Sequence, residues 1–268
     1  MMMGQKTVTH ADEGVSEVIG SILVFGIIIA GVAIVLLFGT NILNDSKEQN
    51  NFASVTQAYK VVQSDIKRAA LEQMPVKSTR IHIDGGVAST DKSKTITIDY
   101  TGTDSSGSAL GTTYNNIRVG EVHYQAGGTT NSIAMENGGL WSNEYGYDQI
   151  ISPPRMYYDS ANKVLVLNVI RLECNDEKFA GSGTVNLYIK SISTNVLTYT
   201  GSSGNTRIVM QTSFPRAWAS WADQTFGSIT GYSNAVPGTS DVTIIIPNVE
   251  KLVISEHIVH VEQMVISR

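Results

Sequence analysis

The sequence predicts an α+β protein in which one long N-terminal helix precedes an antiparallel, β-rich globular domain with one short helix. Three observations carry this prediction. The stretch from Val18 to Asn44 contains no Asp, Glu, Lys, Arg or His. Apolar residues at helical spacing follow it, between Phe52 and Ala69. Beyond residue 75, short alternating apolar runs are separated by Gly, Ser, Thr and Asn, a pattern typical of strands joined by turns.

The uncharged run is long enough to cross a membrane as a helix. In lipid the backbone polar groups must be satisfied within the segment, and a helix satisfies them. At about 1.5 Å per residue the run extends about 40 Å, whereas the hydrocarbon core of a bilayer is about 30 Å thick. We therefore predict a single-pass protein of the cell membrane, in contact with membrane lipid and with its C-terminal domain outside the cell.

The second half of the helix is predicted to be amphipathic. Phe52, Val55, Tyr59, Val62 and Ile66 recur at spacings of three and four residues, which places them on one helix face. A proline at position 75 closes the helix. This apolar stripe can pack on the chain's own globular domain or form a coiled coil with another chain, and the sequence leaves both readings open.

The C-terminal domain is predicted to be an antiparallel sandwich or a related sheet assembly. Glycine pairs at 85–86, 127–128 and 138–139 are predicted to mark turns. The candidate strands are 80–84, 94–100, 116–124, 164–170, 184–192, 206–212, 241–246 and 251–265.

One short helix is predicted among these strands. Ser213-Phe214-Pro215 offers a helix cap and a proline in the first turn. Phe214, Trp218 and Trp221 then fall on one helix face. Such an aromatic face can pack on a sheet or stack on sugars, and we predict packing.

The start of the apolar run resembles a known family. The residues Gly14-Val15-Ser16-Glu17-Val18-Ile19-Gly20 are similar to the N-terminus of archaeal type IV pilin-like proteins, where a Val-Ser-x-x-Ile-Gly sequence opens a long apolar helix. The resemblance extends to about Gly86 and includes the stretch from Ser213 to Trp221. Asp12 and Glu13 stand where the family usually carries Lys or Arg.

This resemblance implies a leader that a prepilin peptidase cuts between Gly14 and Val15. It also implies assembly of the apolar helices, with other pilin-like subunits or with copies of the chain itself, into the core of an extracellular filament. The implied organisation is a leader at 1–14, a transmembrane or filament-core helix at 15–44, an amphipathic stalk at 45–75 and an extracytoplasmic β-rich domain at 76–268. The alternative is an uncleaved signal anchor whose β domain acts as an adhesin or ligand-binding module.

The predicted assembly face combines small residues of the apolar run with the stripe below it. A Gly26-x-x-x-Ala30 pair lets two membrane helices approach closely. Asn44-Asp45-Ser46 is an acceptor sequence for N-glycosylation. The assembly face consists of Gly20, Gly26, Ala30, Phe52, Val55, Tyr59, Val62 and Ile66.

Composition argues against several other functions. The net charge of −5, without a basic stripe, argues against nucleic-acid binding. Cys174 is the single cysteine, so no internal disulfide can form. His257 and His260 would face opposite sides of a strand and cannot share a metal. The sequence contains no G-x-S-x-G, P-loop, G-x-G-x-x-G or H-E-x-x-H motif, and we predict neither enzymatic activity, nor a metal, nor a cofactor.

Overall fold

The fold consists of a long helix followed by two β-sheets and a short helix. The computed structural model describes residues 11–74, 76–103, 106, 108–201 and 204–266. The chain divides into two compact units, Met1–Asn50 and Asn51–Arg268. The elements are α1 (Ala11–Glu72), β1 (Lys77–Asp91), β2 (Thr95–Thr103), β3 (Ala109–Arg118), β4 (Glu121–Gln125), β5 (Ser132–Glu136), β6 (Gly139–Glu144), β7 (Tyr147–Ser152), β8 (Met156–Asp159), β9 (Val164–Glu173), β10 (Glu177–Thr200), β11 (Asn205–Gln211), α2 (Pro215–Phe226), β12 (Val236–Pro237), β13 (Asp241–Ile246) and β14 (Lys251–Ile266).

The predicted α+β class is confirmed. α1 contains the apolar run and the stripe in one helix. It ends at Glu72, and Gln73 takes the left-handed conformation with φ of 51°, which is a common way to stop a helix. Pro75, the predicted terminator, lies outside the described residues.

The larger sheet has the strand order β7-β6-β5-β4-β1-β10-β14-β9-β8. Its pairs are antiparallel apart from β9 and β14, which run parallel. Its two edge strands, β7 and β8, are consecutive in the chain and are joined by residues 153–155. Because so short a link spans at most about 15 Å, the sheet must curve until its edges approach each other. Both edge strands contact α2.

The smaller sheet has the order β12-β13-β11-β2-β3. It packs with α2 against one face of the larger sheet, and the second half of α1 packs against the other face. The largest fully buried side chains include Trp141 and Trp218 in the first core and Tyr59 and Tyr124 in the second. Residues 51–268 thus form two apolar cores, one on each side of the larger sheet.

One predicted strand is in fact two strands. The expected strand 116–124 is split, because β3 ends at Arg118 and β4 begins at Glu121. Gly120 lies between them with φ of 65°, a conformation that glycine adopts without strain. The chain changes sheet at this point, since β3 belongs to the smaller sheet and β4 to the larger.

The glycine pairs have three different outcomes. Gly127–Gly128 forms a turn, as predicted, whereas at 138–139 the turn residues are Asn137 and Gly138, and Gly139 already begins β6. The pair at 85–86 is not a turn. Gly85 and Gly86 lie inside β1, where the register shifts between Asp84 and Val87, and both have positive φ. They form a β-bulge, so β1 continues where a strand end was predicted.

Strands β5 to β8 were not predicted. Every residue of β5 is buried, and so are the first four of β6, so these strands have no polar face. Without alternation of polar and apolar residues, the sequence signal for a strand is weak.

The predicted short helix is present as α2, and its aromatic face packs inside the protein. Phe214, Trp218 and Trp221 are all buried. Trp218 stacks on Trp141 with ring centroids 4.3 Å apart. The predicted Ser213 cap is wrong: Phe214 occupies the cap position and no side chain caps the helix. Ser213 Oγ instead accepts a hydrogen bond from Lys94 Nζ at 2.9 Å.

Candidate functional site

The apolar segment of α1 is the most unusual surface of the chain. From Val18 to Phe38 every residue is exposed, and the large apolar side chains of this segment are between 53% and 70% exposed. The helix is long and apolar enough to cross a membrane. A continuous apolar surface of this size marks contact with lipid or with other protein.

The polar groups of this segment are satisfied within the helix. Ser21 Oγ donates a hydrogen bond to the carbonyl of Val18 at 2.9 Å. The backbone groups bond along the helix. The segment from Val18 to Phe38 therefore presents hydrocarbon to its surroundings, as a membrane-spanning or filament-core helix must.

The small residues of the predicted assembly face do not all share one side of the helix. Gly26 and Ala30 are one turn apart, but Gly20 lies about 120° away from Gly26 around the axis, at 3.6 residues per turn. A side chain added at Gly20 or Gly26 would meet nothing within 4 Å among the described residues of this unit. The described residues of this unit therefore set no constraint on side-chain size at these two positions.

The five residues of the predicted assembly face that belong to the stripe lie in the chain's own core. Their exposed fractions range from 0% to 6%, and they pack with Ile81, Tyr124 and Leu187 of the larger sheet. The reading in which the stripe packs on its own domain is therefore what the structure shows. These residues are Phe52, Val55, Tyr59, Val62 and Ile66.

Polar contacts fix the second half of α1 to the sheet on both sides of the stripe. Gln63 Nε2 donates to the carbonyl of Gly138 at 2.8 Å, and Thr79 Oγ1 donates to the buried Asp65 carboxylate at 2.6 Å. Lys67 Nζ donates to the carbonyl of Pro153, in the link between the sheet edges, at 2.9 Å. Burial, with a smaller effect from Arg155, lowers the pKa of Lys67 to about 8.

The predicted processing and modification residues lie in or before α1. Residues 1–10 of the predicted leader lie outside the described residues. Gly14 and Val15 are helical in backbone. Asn44 is exposed, as a glycan acceptor must be.

The structure brings together two carboxylates that the sequence did not connect. Glu121 of β4 and Glu136 of β5 are register partners, and their exposed fractions are 6% and 0%. Glu136 accepts hydrogen bonds from Trp218 Nε1 at 2.8 Å, Ser213 N at 2.9 Å and Thr212 Oγ1 at 2.5 Å. Because β5 was not predicted, nothing in the sequence indicated this pairing.

This carboxylate pair serves the fold. Burial, with the neighbouring Glu136, raises the pKa of Glu121 to about 8, so Glu121 holds a proton at neutral pH. Three donors to the Glu136 carboxylate belong to Trp218 and to the segment that leads into α2. The pair therefore attaches the start of α2 to the larger sheet.

His257 is buried and His123 is half-buried. His257 Nδ1 lies 3.1 Å from Thr194 Oγ1 and its Nε2 lies 3.0 Å from Ser255 Oγ. Burial lowers the pKa of His257 and lowers that of His123 to about 4. Within the described ranges, no three residues among His, Cys, Asp and Glu are grouped so as to hold a metal ion.

Comparisons with known proteins give a family without an assigned function. The model of the family described as "Family of unknown function (DUF7289)" matches residues 13–262. An uncharacterized protein of Archaeoglobus fulgidus is 31% identical over 81 residues, which cover 30% of this chain and 27% of that protein. The chain thus matches little more than a quarter of that relative's length. No solved structure matches the chain.

Proposed function

The chain belongs to the DUF7289 family of unknown function, and we propose that it is a structural, non-enzymatic subunit of the archaeal type IV pilin-like kind. In this proposal the apolar part of α1 holds the chain in the cell membrane, and the β-rich domain lies outside the cell. A prepilin peptidase removes the leader, and the chain then assembles through the same helix with copies of itself or with other pilin-like subunits.

One observation carries the proposal: the two halves of α1 are buried differently. The segment from Val18 to Phe38 is exposed throughout, whereas Val55, Tyr59 and Val62 are fully buried against the larger sheet. A simple membrane anchor needs no such continuity with the core of a folded domain. A filament subunit does need it, because the helix in the filament core must hold the surface domain in a fixed place.

The physical argument for assembly follows from the exposed hydrocarbon. An all-apolar helix is stable in lipid, and on leaving lipid it must be covered by other apolar surface. A bundle of identical helices supplies that surface, and repetition of one head-to-tail contact produces a filament. The fit of Gly14-Val15-Ser16-Glu17 to the pilin-like pattern supports processing after Gly14, although Asp12 and Glu13 depart from the Lys or Arg that the family usually carries. The matched relative is archaeal, as this kind of protein requires.

Intact mass of the chain purified from membranes tests the proposal. We expect a mature chain that begins at Val15. Gly14→Val should block processing and leave the full-length mass, whereas Gly4→Val, the same substitution outside the cleavage point, should be processed normally. A wild-type chain that retains residues 1–14 would overturn processing and favour the signal-anchored adhesin or ligand-binding reading.

Fractionation of sheared cells tests assembly. We expect the mature chain in filaments released by shear and not the Gly14→Val chain. A processed chain found in membranes alone would contradict a filament-forming role and indicate a minor subunit that remains at the cell surface.

A further inference from the structure

The second half of β10 has an open edge. β14 pairs with β10 as far as Thr200, but β1 pairs with it on the other side only up to the pair Lys77–Ile189. In the part of the chain that the structure describes, no strand continues the β1 side beyond that pair. The backbone groups of residues 191–200 on this side are therefore available for another strand.

This edge lacks the devices that usually protect sheet edges. From Ser191 to Thr200 it contains no charged residue and no proline. Two apolar side chains on it, Ile192 and Val196, are 54% and 58% exposed. The edge strand β12 differs, because it has two residues and one of them is proline. Long, uncharged edges favour pairing with another strand.

Two clefts lie at the ends of the open edge. The first has a volume of about 390 Å³ and is lined by Gln73, Met74, Val76 and residues 190–193. The second, of about 230 Å³, is lined by Tyr100, Gly111, Thr112 and residues 198–200. The edge is therefore accessible at both ends, with room beside it for the side chains of an added strand.

We propose that this edge pairs with the same edge of a second copy of the chain, antiparallel and about a two-fold axis. In an antiparallel pair, hydrogen-bonded and non-hydrogen-bonded residue pairs alternate along the ladder. Two identical edges can therefore pair about a two-fold axis only if one residue lies opposite its own copy. Val196 is the exposed β-branched residue near the middle of the edge, and such residues form favourable cross-strand pairs. With Val196 opposite its copy, Ser193 lies opposite Tyr199.

The lack of charge along this edge favours a second copy as the occupant. The uncharged edge meets no like charge when it pairs with itself. Ile192 is the extra residue of a β-bulge in the β10–β14 ladder, which continues on both sides of the bulge, and the bulge increases the local twist of the strand. In the register centred on Val196, Ile192 of one copy lies opposite Thr200 of the other, at the 230 Å³ cleft. This contact involves the β-rich domain alone and does not depend on the proposed function.

Charge substitutions at the axis test the proposal on the full chain in detergent. Val196→Lys and Val196→Glu each place like charges opposite each other, and we expect each to weaken self-association at least tenfold in sedimentation. An equimolar mixture of the two should restore it as a heterodimer, which also shows that both variants are folded. Val236→Lys, at an exposed valine of β12, is the matched control and should associate like the wild type.

Cysteine cross-linking in native membranes tests the register. In a Cys174→Ser background, Val196→Cys should give a disulfide-linked dimer of twice the chain mass, and Val236→Cys should not. An equal yield from both positions would overturn the two-fold pairing. Failure of the mixed charge variants to associate would also overturn it. A disulfide adduct of Val196→Cys with a different protein would overturn it too, and would identify that protein as the occupant of the edge. Processing at Gly14 is unaffected by either result, so the two proposals fail separately.

Discussion

Glu121 and Glu136 lie directly opposite each other in the β4–β5 ladder, and both side chains are buried. Like charges in this position are unfavourable, so the pair persists because Glu121 holds a proton and Glu136 is bonded to three donors. This relationship connects the larger sheet to α2 and leads to the first two predictions.

Glu136→Ala should destabilise the β-rich domain by about 3 kcal/mol, because buried donors of Trp218, Ser213 and Thr212 lose their acceptor. Urea unfolding of the detergent-solubilised chain, followed by tryptophan fluorescence, measures this loss. Glu250→Ala removes an exposed ion pair with Lys163 and should cost less than about 1 kcal/mol. Equal losses in the two variants would contradict the role given to Glu136.

Stability should fall as pH rises from 6.5 to about 8. The folded state keeps the Glu121 proton up to about pH 8, whereas the unfolded carboxyl loses it near pH 4.5. Between these values the folded state binds more protons, so stability decreases by up to about 1.4 kcal/mol per pH unit. Two groups act in the opposite direction: His123, with a lowered pKa of about 4, only below 6.5, and Lys67, with a lowered pKa of about 8, only as pH approaches 8. The decrease is therefore steepest near pH 7.

Glu121→Gln should abolish this decrease, because the amide does not titrate. Urea midpoints measured across the same pH range test the prediction, with Glu250→Gln as a control that should keep the wild-type slope. A slope that survives in Glu121→Gln would assign the proton to another group.

Val62→Ala should destabilise the chain by about 2 kcal/mol, because Val62 is fully buried in the core between α1 and the sheet. Its neighbour Val61 is 52% exposed, and Val61→Ala should change stability by less than about 0.5 kcal/mol. Thermal unfolding of the two variants side by side measures the difference. A larger effect at Val61 would mean that the helix packs through another face.

Tyr59→Phe should stabilise the chain by up to about 1 kcal/mol, since the buried Tyr59 hydroxyl has no hydrogen-bond partner among the described atoms. Tyr124→Phe is the matched comparison, because the Tyr124 hydroxyl donates to the carbonyl of Gly85 at 2.9 Å. That variant should lose about 1 kcal/mol. Unfolding midpoints in urea distinguish the two signs, and a loss in Tyr59→Phe would show that its hydroxyl is bonded.

Gly86→Ala should cost more than about 1 kcal/mol, because Gly86 has φ of 91° and an added Cβ would collide with the carbonyl of Gln125. Gly111→Ala is the control, because its Cβ would meet nothing within 4 Å. Its effect should stay within about 0.5 kcal/mol. Differential scanning calorimetry compares the two, and a neutral Gly86→Ala would contradict the bulge.

The elements that the sequence predicted well are those whose signal is local. The uncharged run, the stripe from Phe52 to Ile66 and the aromatic face of α2 each repeat at helical spacing within a few turns. Strands such as β9 and β11 alternate between buried and partly exposed residues, and they were predicted near their true positions. β5 and β6 were missed because burial on both faces removes that alternation.

By itself the sequence determined that a long helix, apolar in its first half and amphipathic in its second, precedes a β-rich domain. Hydrophobic periodicity and charge can be seen within a single segment of sequence. The tertiary structure alone decided that the chain's own sheet covers the stripe. It also decided that Glu121 lies opposite Glu136 and that β10 extends past the end of β1. Each of these depends on the register between strands far apart in the chain, and no local pattern specifies which distant strand supplies the partner.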